Sequence, residues 1–204
     1  MQLSDMITEV YSLTNRPDLV AETLSALKTA TLQMHHKDFW YKDLQQATLQ
    51  LQQADYVGVF DTSLLQRYRA MKFIRKWYPT GINSVTLQST GVGGPRLTQI
   101  DPDSIFDSYA RERSDVYYIA GRSVNIKTSD QLSTFLVGWY RHPDINVATY
   151  DSWIAEEHPY AIIQSAAGQV FKLIGYDEQS TRYNNLVQEQ VEMLTISNTE
   201  AEVR

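Results

Sequence analysis

The sequence predicts an α+β protein in which N- and C-terminal helices pack as a bundle, with a β-rich insertion and a long flexible loop. Three observations predict it. Apolar residues return at three- and four-residue steps near both ends of the chain. They alternate at period two in the middle. Gly, Pro, Ser and Thr crowd one stretch between strand-like segments. The chain reads as one domain over residues 1–204, with a helical core at about 1–44 and 152–198 and the β-rich insertion at about 45–150.

Leu3, Met6, Ile7, Val10 and Leu13 define the first helix, capped by Ser4 and ended near Asn15 because Pro17 disfavours helix in the residue before it. Asp18 starts a second helix that runs to about His36, with Leu24, Leu27, Thr31 and Met34 on its apolar face. From Gln45 to Gln52 the pattern alternates as in a half-buried strand, and Tyr56, Val57, Val59 and Phe60 continue it to a turn at Asp61. Arg67 to Tyr78 reads as a strand, because aromatic and branched residues are frequent and Pro79 and Gly81 close it. Thr80 to Arg96 is the loosest stretch and predicts a hairpin tip or mobile arm. Asp101-Pro102-Asp103 starts a short helix with Ile105, Phe106 and Tyr109 on one face. Asp115 to Thr128 is a hairpin turning at Gly121, and Leu132 to Tyr140 a further strand. Ser152 caps a first turn, Pro159 restarts the helix, Gly175 stops it, and Asp177 opens a last helix. The final residues, from Asn198, read as a frayed tail.

The totals exclude several classes. With 43% hydrophobic residues and 11% aromatic, the chain is too apolar to be disordered. A formal net charge of -6 gives no overall basic footprint for nucleic acid. There are no cysteines, hence no disulfides, thiolate metal sites or cysteine nucleophile. The first residues lack a basic stretch followed by an apolar run, so no signal peptide is expected, and no apolar run is long enough to predict a membrane span.

Residues of catalytic type have structural explanations. His35 and His36 are adjacent, point about 100° apart on a helix, and suit a helix C-terminus that favours cations. Glu156 and Glu157 sit in a first helical turn, where acids complement the dipole. Gly91-Val92-Gly93-Gly94 lacks the Lys-Ser/Thr of a phosphate loop. Arg67, Arg69, Lys72, Arg75 and Lys76 form the one basic run, read either as a solvated strand face or as a contact with an acidic partner subunit or passing DNA.

Three segments carry a resemblance: NRPDLVAETLSALKTATLQMHHKDFWYKD at 15–43, IDPDSIFDSYARERSDVYYIAGRSVNIK at 100–127, and SWIAEEHPYAIIQSAAGQVFKLIGYDEQS at 152–180. In order and character the chain resembles the head-to-tail adaptor (connector) proteins of tailed bacteriophages. The resemblance implies a non-enzymatic structural virion protein of the neck, assembled in the bacterial host cytoplasm. It implies a homo-oligomeric ring, a dodecamer matched to the portal protein above, with a tail or nozzle protein below and transient non-specific contact with passing DNA. No cofactor, metal or membrane is implied. By position, Gln188 to Arg204 would reach the portal. The residues expected at interfaces are Arg67, Arg69, Arg75 and Lys76 of the basic run, Gly91, Gly93 and Gly94 of the arm, and Leu194 and Ile196 of the last helix. The alternatives are another neck or tail component, such as a head-completion or tail-tube protein, or a small hydrolase or binding module built from His142, Asp144, Glu156 and His158.

Overall fold

A computed structural model describes residues 1–51, 53–82, 89–132 and 134–203. The chain is α+β and divides into two compact units, one formed by Met1–Asp43 with His142–Arg204, the other by Leu44–Arg141. Residues 142–151, read above with the β-rich segment, belong to the first unit. A two-way backbone bridge between Asp144 and Asp151 closes them into a loop.

The first unit holds five α-helices among the described residues: α1 (Leu3–Thr14), α2 (Val20–His36), α3 (Trp153–Glu157), α4 (Pro159–Leu173) and α5 (Asp177–Val203). Asn15 in the left-handed conformation ends α1, so the stop comes one residue ahead of the Arg16-Pro17 signal. Ser152 caps α3 by accepting from the Ala155 N–H, and Pro159 occupies the first turn of α4, where no intrahelical N–H is lost. α4 is the central helix and packs against α1, α2, α3 and α5. Its Ala161, Ile162, Ile163, Ala166 and Ala167 are fully buried. Gly168 faces α5, where an added Cβ would meet Asn184 Oδ1 at 3.3 Å and Tyr183 Cβ at 3.4 Å. Small side chains here let the two helix backbones approach closely.

The last helix is longer than the sequence suggests, continuing to Val203 with no fray at Asn198. The reason is an anchor. Asn198 is buried, and its Oδ1 accepts from the Tyr41 backbone N–H at 2.9 Å. A polar residue late in the chain reads as tail until its backbone partner, 157 positions away, is known.

Among the described residues, the second unit holds two four-stranded sheets. One has the order β1 (Leu44–Gln50), β8 (Thr134–Arg141), β3 (Tyr68–Ile82), β4 (Ser89–Arg96), antiparallel throughout. The other has the order β2 (Val57–Asp61), β7 (Ser123–Lys127), β6 (Val116–Ala120), β5 (Thr98–Gln99), with only β5 and β6 parallel. Ile74, Phe135, Val137 and Trp139 from the first sheet and Phe60, Tyr117, Val124 and Ile126 from the second form one apolar cluster. Each sheet therefore buries one face against the other.

Two expectations are corrected in this unit. The stretch Thr80–Arg96, expected as a hairpin tip or mobile arm, does belong to an antiparallel hairpin, but it is mostly strand: β3 runs to Ile82, and β4 spans the glycine cluster. Residues 83–88 of the expected arm lie outside the described residues. The glycines belong in the strand because aromatic rings lie across them. A Cβ on Gly91 would sit 2.7 Å from Trp77 Nε1, and one on Gly94 would sit 2.6 Å from Tyr78 Cε2. The second correction concerns the helix expected after Asp101. Only a single 3-10 turn forms at Pro102–Ser104, capped by Asp101. Asp107 then accepts from the N–H groups of Tyr109 and Arg111, turning the chain away from helix, and Phe106 and Tyr109 are exposed.

Candidate functional site

The buried polar groups of the helical unit are brought together from positions far apart in the chain. His35, in the last turn of α2, is 1% exposed. Its Nδ1 lies 2.9 Å from both oxygens of Asp43, and its Nε2 lies 2.9 Å from Ser152 Oγ. The Trp153 indole N–H donates to the same Asp43 carboxylate at 2.8 Å, and the Tyr150 hydroxyl pairs with Thr31 at 2.7 Å. The connectivity Asp43–His35–Ser152 is that of a proton relay to a nucleophile. Its environment is not. Ser152 is 4% exposed, and its oxygen already serves as the α3 cap. A nucleophile must bring its reacting atoms to about 3–3.5 Å, and Tyr150, not Ser152, lines the 830 Å³ cleft between the N-terminal turn of α1 and the loop before α3. The group ties the end of α2, the 3-10 turn at Tyr41–Asp43 and the start of α3 into one unit. The missed signal was spacing, since Asp43 lies eight residues beyond His35 and Ser152 lies 117 beyond.

His142, Asp144, Glu156 and His158 do not share that cleft. Only Glu156 lines it. Asp144 accepts from the Asn146 N–H and the Thr149 hydroxyl in its own loop, His142 stacks edge-on to His36, and His158 ends α3. Among the described residues no group of three or more His, Cys, Asp or Glu is placed to hold a metal ion, and no helix is long and apolar enough to cross a membrane.

The basic run divides between two environments. Ile74 and Lys76 point into the unit, as strand alternation requires, and Lys76 is 2% exposed. It is therefore not the surface contact expected of it. Its Nζ lies 2.7 Å from Asp115, 2.8 Å from Asp130 and 2.8 Å from Ser129 Oγ. Burial opposes its charge, but the hydrogen bonds it donates to Asp115 and Asp130 outweigh burial and hold the ammonium above its usual lysine range. Asp115 mirrors it. Burial works against ionisation, and the bonds from Lys76 and Ser129 overcome it, leaving the carboxyl below its usual range.

Arg75 and Arg96 are exposed and stand directly opposite each other across β3 and β4. Both guanidiniums lie over the ring of Phe73, at 5.7 and 5.9 Å from its centroid, and Arg96 also donates to the Lys72 carbonyl. Lys72 Nζ lies over the Tyr140 ring at 5.4 Å. Phe73 can lie flat because its cross-strand partner is Gly138, where a Cβ would collide with the ring. Arg67, with φ at 52°, turns the chain into β3, and Arg69 follows it, half-buried. Gly93 is exposed, whereas Gly91 and Gly94 are half-covered by the aromatic rings of β3.

Leu194 and Ile196 lie on different sides of α5. Leu194 is 2% exposed and belongs to the core with Val187, so it is not available to a partner. Ile196 is 61% exposed, on the outer side with Met193.

No known family model matches this chain, and no curated protein matches it either.

Proposed function

We propose that the chain is a structural virion protein, the head-to-tail adaptor that forms a ring beneath a phage portal, extends the DNA channel and presents a platform for the tail. In this reading the helical unit is a bundle scaffold, the β-rich unit is an insertion in it, and the protein acts in the virion neck after assembly in the host cytoplasm. The three segments at 15–43, 100–127 and 152–180 support it by resemblance. The geometric observation that carries it is α5. This 27-residue helix is anchored along one side by Ser180, Tyr183, Val187, Val191, Leu194 and Asn198, and leaves Met193 and Ile196 in solvent. A long helix covered on one side only, with apolar residues on the other, suits contact with other protein chains. The formal charge of -6 suits a channel wall that lets DNA pass, because each phosphate-neutralising contact adds affinity.

In this reading the portal-facing end begins beyond Asn198, whose side chain accepts from the Tyr41 N–H. Removal from Gln188 onward would take Leu194 out of the core, whereas a stop after Asn198 keeps every described anchor. The truncated chain ending at Asn198 is expected to stay folded by circular dichroism and to lose binding to the portal protein encoded in the same genome. Undiminished portal binding by that truncation contradicts the assignment of the C-terminal end. The second reading, another neck or tail component, predicts threefold or sixfold stacks in place of one portal-matched ring.

A further inference from the structure

Two surfaces on separate elements of this chain complement each other. The first is the Arg75–Phe73–Arg96 face. A directly opposed like-charged pair on neighbouring strands is destabilising, yet β3 and β4 place Arg75 against Arg96. The shared Phe73 ring offsets part of that repulsion through its π-face. Among the described residues no carboxylate pairs with either guanidinium. The face is thus built with its charge uncompensated.

The second surface is on α5. Between Tyr183 and Val203 there are four Glu and no Lys or Arg. Glu189, Glu192, Met193 and Ile196 are exposed and follow the i, i+3, i+4, i+7 spacing of a single helix face, opposite Val187 and Leu194. That face carries acids and two apolar side chains; the sheet face carries guanidiniums and an aromatic ring.

We propose that the α5 stripe of one copy docks on the Arg75–Phe73–Arg96 face of the next copy. Glu189 and Glu192 accept from the guanidinium forks, and Met193 packs its thioether against the Phe73 ring. The contact is heterologous, since each copy offers a different surface to each neighbour, and such contacts close into rings when the rotation permits. That closure rests on the adaptor reading above. A second copy fits better than nucleic acid. A chain of net charge -6 repels a polyanion at a distance, whereas another copy brings the required carboxylates itself.

The chain contains no cysteine, so single thiols report the contact cleanly. One full-length variant carries Lys72→Cys and another carries Ile196→Cys. Mixing and oxidising them is expected to give a disulfide-linked heterodimer at least about tenfold above a control in which Tyr109→Cys replaces Lys72→Cys. A yield no greater than the control overturns the proposal. Adding R75E and R96E to the Lys72→Cys chain should abolish the excess, and adding E189K and E192K to its Ile196→Cys partner should restore it. Failure of that restoration, with both variants folded by circular dichroism, also overturns it. So does a result in which R75E/R96E removes retention on DNA and leaves crosslinking unchanged, which would make the face a nucleic-acid contact. A crosslink without any ring on the portal keeps the surface pairing and removes the adaptor reading. A ring that forms equally well from charge-swapped chains does the reverse.

Discussion

Lys76 shows how far a single residue can be read without its partners. Strand alternation alone sets it on the side of Ile74, facing inward, but a lone lysine in a basic run reads as surface. Asp115 and Asp130, which make the inward position tolerable, lie 39 and 54 residues on and carry no local pattern pointing back. His35 is similar, since a histidine in a last helical turn suggests the helix dipole, and only the fold shows Asp43 and Ser152 on its two nitrogens. Removing one partner from such buried groups leaves the other uncompensated. Lys76→Met is expected to lower unfolding free energy by about 2–3 kcal/mol, and Asp43→Ala by about 3 kcal/mol, both measured by chemical denaturation. The Lys76 effect should depend on pH. The lowered Asp115 carboxyl gives stability that is present above the ordinary carboxylate range and lost as pH falls through its folded value. The raised Lys76 ammonium gives stability that is present below the ordinary lysine range and lost as pH rises through its folded value. The gap between wild type and Lys76→Met should therefore be widest between about pH 5 and pH 9 and shrink toward acid. A gap that stays constant into acid would contradict this account of the trio.

Elements were legible where one periodicity dominated and illegible where two demands competed. α1, β3 and the β6–β7 hairpin follow their apolar spacing closely. The glycine cluster at 91–94 misled because glycine signals a loop unless something bulky must lie across the backbone, and here Trp77 and Tyr78 do. Gly91→Ala would force a Cβ into both the Tyr78 backbone carbonyl and the Trp77 ring and is expected to cost about 1–3 kcal/mol, whereas Gly93→Ala, with its nearest neighbour at 3.8 Å, should be nearly silent. Equal losses at the two positions would show that the glycines serve something other than aromatic cover. α5 separates in the same way. Leu194→Ala empties a buried site and should cost about 2–4 kcal/mol, while Ile196→Ala should change stability by no more than about 0.5 kcal/mol and affect only association.

At the scale of the whole chain, the sequence revealed the α+β class and the order helices, strands, helices, because the apolar period changes near residues 44 and 152, the second change falling beyond the unit boundary at Arg141. It did not reveal which surfaces are left for partners. That depends on which side of β3 and of α5 is buried, and single substitutions of exposed charge say little about it. The account places an acidic chain in a ring, with Arg75 and Arg96 turned toward the neighbouring copy and its C-terminal end toward the portal. Electron microscopy of the chain bound to the portal protein encoded in the same genome tests this most directly. The account predicts one closed dodecameric ring matching the portal's symmetry; a threefold or sixfold stack, or a chain that never assembles on the portal, would contradict it.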